Sequence, residues 1–171
     1  MKPFVVLIAL GLLASGCGYQ IAGKADLIPK SIHTVAIEPF HNGTQRSDLP
    51  RLLSADLARE FLSRTHFKVV SDPTQADAVL TGAITNFVSF STTADPVTGR
   101  STGAQVILQM NIYLTERTTK KSLFQRAGYE FRERYEISEN VATYFDESGT
   151  AVQRVTRDAS RSILTAILEN F

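Results

Sequence analysis

The stretch Ala104–Glu116, AQVILQMNIYLTE, decides the fold. Val106, Leu108, Met110, Ile112 and Leu114 recur at every second position, and Gln105, Gln109, Asn111 and Tyr113 fill the gaps, with Ile107 the exception. Successive side chains of an extended strand point to opposite sides of a sheet. This period of two therefore predicts a strand with one apolar and one polar face.

Working outward, Asp95-Pro96-Val97-Thr98-Gly99-Arg100 carries strong turn signals and joins this strand to an extended stretch at Asp77–Thr92. There the even positions Leu80, Gly82, Ile84, Val88 and Phe90 are assigned to one face, and Thr81, Thr85, Ser89 and Ser91 to the other. On the other side, Thr118-Thr119-Lys120-Lys121 turns the chain into a last strand, Leu123–Glu136. Nearer the start, Ile32, Val35 and Ile37 read as a strand closed by Pro39, and His41-Asn42-Gly43-Thr44 as a turn. A helix follows. Asp48 is placed to cap it, Pro50 fits its first turn, and Leu49, Leu53, Leu57 and Phe61 recur every four residues. Leu52, Ala58 and Leu62 widen that stripe, while Arg51, Asp56, Arg59 and Glu60 are assigned to solvent. Phe67–Val70 is a short strand ended by Asp72-Pro73. A second helix, from about Gly149 to Asn170, aligns Val152, Val155, Ala159, Ile163, Ala166, Ile167 and Asn170.

The order is β-α-β-β-β-β-α. Two helices with one apolar stripe each need one surface to cover, so the expected class is α+β, both helices packed on one face of a mostly antiparallel sheet. The opposite face is rich in Thr, Ser, Gln, Asn and Tyr. Such a face either simply meets water or contacts a wet, polar partner surface, and the sequence leaves both readings open.

Composition narrows the function. The chain has 171 residues, 43% of them hydrophobic, which suits one globular domain, and no repeat or linker marks a second. The net charge of +1 falls to zero once Lys2 is removed with the first sixteen residues. Nucleic-acid binding rests on an excess of cations, so no nucleic acid is expected as partner. His33, His41 and His66 have no ligand spacing and the ten glycines are scattered, so neither metal, cofactor nor catalytic activity is expected.

The N-terminus reads as an address. Met1-Lys2-Pro3 precedes the apolar run Phe4–Leu13, which is half the roughly 20 residues that a membrane-spanning helix needs and matches the core of a signal peptide. Ala14-Ser15-Gly16 then leads to Cys17, the only cysteine. This resembles the lipobox of bacterial lipoproteins, in which the cysteine thiol receives a diacylglycerol and the chain is cut before it. Leu13 stands four residues before the cysteine rather than three. The alternative is an ordinary signal peptide that leaves a free thiol, which export would expose to oxidation. Gly18 rather than Asp after the cysteine resembles lipoproteins of the outer membrane. The expected organisation is a signal peptide at 1–16, a lipidated segment at 17–31 and one domain at 32–171.

Arg117, Lys120, Lys121, Arg126, Arg132 and Arg134 cluster in the last hairpin, interrupted by Glu130 and Glu133. Arg132 and Arg134 are expected to pair with those acids. Lys120 and Lys121 sit in a turn, and Arg100 sits in the preceding hairpin loop. If the two loops lie near each other, these three residues form a phosphate-binding site.

Cys17-Gly18-Tyr19-Gln20-Ile21-Ala22-Gly23 resembles the mature start of the lipopolysaccharide-assembly lipoprotein family, LptE. Ile28-Pro29 before a strand, Val35-Ala36-Ile37-Glu38-Pro39-Phe40 with Asn42 and Thr44, Glu60-Phe61, and Ala76-Asp77-Ala78-Val79-Leu80-Thr81-Gly82-Ala83-Ile84 extend the likeness along nearly the whole mature chain. The resemblance implies a four-stranded sheet with two helices on one side. It implies an outer-membrane lipoprotein that plugs and helps assemble the barrel LptD and binds lipopolysaccharide in transit. The segment Thr34–Ile84 also resembles the α/β domain of lipoproteins that activate peptidoglycan synthases or form curli-type secretion pores. Those proteins usually place further elements between the lipidated cysteine and this domain, whereas here fifteen residues separate Cys17 from His33.

Overall fold

The computed structural model describes residues 31–137 and 147–169; the expected signal peptide and lipidated segment, Cys17 included, and Asn170 lie outside the described residues. The chain runs through β1 (Thr34–Ile37), β2 (His41–Asn42), α1 (Leu49–Arg64), β3 (Lys68–Val70), a 3-10 turn (Pro73–Gln75), β4 (Ala78–Ala94), β5 (Ser101–Glu116), β6 (Ser122–Glu136) and α2 (Glu147–Glu169). The class is α+β, as the patterning predicts.

The sheet order is β3-β1-β4-β5-β6, with β2 also against β4. The long β4-β5-β6 ladders are antiparallel, and the short pairings of β1 with β3 and β4, and of β2 with β4, are parallel. The sheet is thus mixed and has six strands rather than four. His41 and Asn42 pair with Ala83 and Ile84 where a turn was expected, and the Asx turn begins at Asn42, whose Oδ1 accepts from Thr44 N and Oγ1 at 3.0 and 2.8 Å. The unsatisfied edge of β4 draws these two residues into the ladder.

Leu49, Leu53, Leu57 and Phe61 of α1 are fully buried against the sheet, together with Val155, Ala159, Ile163 and Ile167 of α2. Burying each large side chain is worth about 1.5–3 kcal/mol. Three expectations for α1 need correction. Asp48 makes no side-chain cap, because its Oδ1 accepts from Arg46 Nε at 3.1 Å. Leu62 is 63% exposed, since the stripe is narrower than its apolar residues suggest. Asp56 is buried rather than solvated: its two oxygens accept from Arg59 Nη1 at 2.8 Å and Thr156 Oγ1 at 2.9 Å. The Asp56–Thr156 bond, with that from Arg64 Nη2 to Thr165 Oγ1 at 3.1 Å, shows that the helices run in the same direction.

A bulge corrects the facing of β4. Ile84 pairs with Met110 but Asn86 pairs with Gln109, so Thr85 is an extra residue. Beyond it Phe87, Ser89 and Ser91 stand opposite the buried Leu108, Val106 and Ala104, on the helix side. Val88 and Phe90 therefore turn to the open face, where they are 40% and 46% exposed. One inserted residue exchanges the faces of the strand from Asn86 to Ser91, where the next irregularity begins.

Candidate functional site

The family-like segment from Ala76 to Ile84 is where three elements meet. Asp77 Oδ2 accepts from the backbone N–H groups of His33 and Thr34 at 2.8 and 2.9 Å and from Thr34 Oγ1 at 2.9 Å. These bonds, the His33 N–H foremost, hold its carboxyl below the ordinary Asp value of 3.8. The Asp77 carbonyl accepts from Arg117 N at 2.8 Å, and the Ala76 carbonyl from Arg117 Nε at 2.6 Å. Asp77 and Arg117 thus tie the start of β1, the start of β4 and the β5–β6 hairpin into one corner.

Beside that corner the open face holds a hollow of ≈ 450 Å³ whose rim carries Glu38, Thr74, Thr81, Arg117 and Lys120. Lys120 and Lys121 are both exposed at the hairpin tip. Lys120 has φ 59, a left-handed conformation that costs an L residue about 1 kcal/mol. The β4–β5 hairpin closes the same way, each loop with a bond between the paired end residues and one to the fourth loop residue, but its left-handed position is Gly99, φ 68. The turn also has nearby acids: Glu116 bonds to Thr119 Oγ1, and Glu38 lines the hollow.

The three predicted phosphate contacts do not form one site. Lys120 and Lys121 follow β5 and Arg100 precedes it, and the 16 residues of that strand put the two hairpin tips about 50 Å apart, at opposite ends of the sheet. Successive hairpins of a meander turn at alternate ends, which the sequence already held.

Arg126 and Arg132 have structural partners. Arg132 pairs with Glu130 at 2.6 Å, whereas Glu133 reaches α2 at Arg154, 3.8 Å away, instead of Arg134. The Arg126 guanidinium stacks 4.0 Å from the ring centroid of Tyr129, whose hydroxyl is 2.7 Å from Ser162 Oγ. Across the open face, Asn86 Nδ2 donates to Gln109 Oε1 at 3.4 Å, and Gln109 Nε2 to Glu130 Oε2 at 2.5 Å. The Gln109 bond and then Arg132 lower the Glu130 pKa. Sequence reasoning named Arg117 in the cation cluster and Glu38 in a family-like segment but gave neither a place in this site. Their role depends on contacts distant in sequence, and no local spacing announces it.

Among the described residues no group of three or more His, Asp or Glu is placed to hold a metal ion, and no helix is long and apolar enough to cross a membrane.

Comparison with solved structures finds the same fold in several proteins, a lipoprotein among them. The uncharacterized lipoprotein B from Nitrosomonas europaea superimposes with TM-score 0.57 at 15% identity, over 88% of this chain and 90% of that one. PelC from Paraburkholderia phytofirmans, solved as a dodecamer, gives 0.54 at 14%, over 86% and 93%. XCC0632 from Xanthomonas campestris gives 0.55 at 11%, over 83% and 87%. At such identities these likenesses concern the fold alone. No curated protein matches the chain by sequence. Residues 32–167, however, match the family described as lipopolysaccharide-assembly, LptE. That span takes in all six described strands, the first helix, the second helix up to Ile167 and the Ala76–Ile84 segment, and the chain belongs to the LptE family of lipopolysaccharide-assembly lipoproteins.

Proposed function

We propose that this protein is an outer-membrane lipoprotein that partners and plugs an LptD-type β-barrel, supports its assembly and binds lipopolysaccharide on its way to the cell surface. The family match over residues 32–167 carries the reading. It also favours this reading over the peptidoglycan-synthase-activator and curli-type alternative. The role is non-enzymatic and needs no cofactor. Lipids on Cys17 hold the domain at the membrane, since two or more acyl chains anchor stably where one does not. The open face, with its Asn86–Gln109–Glu130 hydrogen-bond row, suits the polar, hydrated lumen of a barrel.

In this reading Lys120 and Lys121 attract lipid A phosphates at one end of the sheet, and Arg100 acts separately at the other. A lysine at a left-handed position, where glycine is less strained, supports a task for that side chain. Titration of lipopolysaccharide against the purified domain tests the assignment. Lys120→Glu with Lys121→Glu should weaken binding about tenfold at low salt and less at high salt. Unchanged binding removes this turn from the site.

A further inference from the structure

β4 is only partly paired on its outer side. β1 and β2 cover it as far as Ile84, and the last bond there runs from Gly43 N to the Ile84 carbonyl at 2.9 Å. No described strand follows them, so from Asn86 to Ala94 one side of the strand offers unpaired backbone donors and acceptors over about 30 Å.

Proteins normally guard such an edge with charge or proline. The other long edge strand, β6, does so with Arg126, Glu130, Arg132, Glu133, Arg134 and Glu136. β4 has neither: from Ala78 to Ala94 it contains no charged residue and no proline. Its bulge also turns Val88 and Phe90 outward on this unguarded half. A hollow of ≈ 530 Å³ opens where β2 stops, lined by Thr44, Arg46, Asn86 and Phe87 among others. The Arg46 guanidinium, 5.6 Å from the centroid of the Phe87 ring, is neutralised by Asp48 at 3.1 Å, so this hollow suits an uncharged side chain.

We infer that the Asn86–Ala94 edge of β4 takes up an extended, uncharged segment of the barrel partner as an added strand, with one of its side chains in the hollow beside Arg46. The inference rests on the functional reading above. Strand addition draws affinity from main-chain hydrogen bonds and specificity from pockets for alternate side chains, and both are present here. A second copy of this chain fits less well. An edge about 30 Å long and a sheet about 10 Å thick would bury about 600 Å² in total, half of the roughly 1,200 Å² of a stable interface. The occupant must be held by other contacts too, as a barrel around the domain would provide.

Amide hydrogen exchange on the full lipoprotein, alone and in the complex isolated from outer membranes, tests this. Residues 86–94 should exchange about tenfold or more slowly in the complex than alone. Equal exchange in the two samples with the barrel present overturns the inference and leaves the functional reading intact. Protection already present in the isolated lipoprotein also overturns it, assigning the edge to a second copy if the protein sediments as a dimer and to its own chain if it does not. Absence of any barrel from the preparation overturns the functional reading and this inference together. Val88→Lys with Phe90→Lys, at two exposed positions, should leave the circular dichroism spectrum unchanged and remove the protection; retained protection counts against the edge.

Discussion

Gly82 lies beneath the ring of Phe40: a Cβ at that glycine would stand 2.3 Å from Phe40 Cε1 and 2.5 Å from the Asn111 carbonyl oxygen. This contact joins two segments that resemble the family, the Pro-Phe ending of β1 and the Gly-x-Ile of β4, and explains why each has the residue it has. The ring is 3% exposed and closes the core where β1 breaks towards β2.

Gly82→Ala should therefore destabilise the domain by about 1–3 kcal/mol, measured by urea denaturation. Adding Phe40→Leu should recover part of that loss and not all, because the Asn111 carbonyl belongs to the backbone and stays in place.

Asp77 predicts acid sensitivity. Its folded pKa is depressed, so its contribution is complete above the unfolded value near 3.8 and disappears as pH falls through the lower folded value. Asp77→Asn should lower the urea midpoint at neutral pH. It should also flatten the loss of stability below about pH 4 relative to the parent. Parallel pH profiles would show that the three bonds to His33 and Thr34 contribute nothing to folding.

The buried pair between the helices gives a third prediction. Thr156 is fully buried and donates to Asp56 Oδ2, so Thr156→Val leaves a carboxylate oxygen without that donor and should cost about 1–3 kcal/mol. Thermal unfolding checks it.

Lys120→Gly separates stability from function. Relief of the left-handed strain should stabilise the domain by about 1 kcal/mol. Lipopolysaccharide affinity should fall at the same time. Arg100→Glu, at the far end of the sheet, should leave binding at the Lys120 end unchanged.

Alternation in Ala104–Glu116 and the four-residue stripe of α1 were enough to place the central strand, the first helix and the face they share, because burial on one side imposes its period on the sequence. Legibility stopped where a single residue breaks the period. The extra Thr85 reverses the facing of Val88 and Phe90, and nothing in the composition of that uncharged stretch marks the reversal. Asp56 reads as a surface residue because its partner Thr156 lies on the other helix. The cations of the last hairpin were visible. Their division was not, since Arg117 is claimed by the Ala76 carbonyl and Arg126 by the Tyr129 ring. The separation of Arg100 from Lys120 follows from strand length alone.

Membrane attachment has its own test. Cys17→Ser should leave the domain folded and move it from the membrane to the soluble fraction, read by fractionation and circular dichroism. A variant that stays membrane-bound in cells lacking the barrel contradicts the lipid anchor.

The measurement closest to the central claim is purification of the tagged lipoprotein from outer membranes in mild detergent, with identification of what accompanies it. The account predicts one large β-barrel in stoichiometric amount, resistant to dissociation. A peptidoglycan synthase, a ring of the lipoprotein itself, or the lipoprotein alone would contradict it.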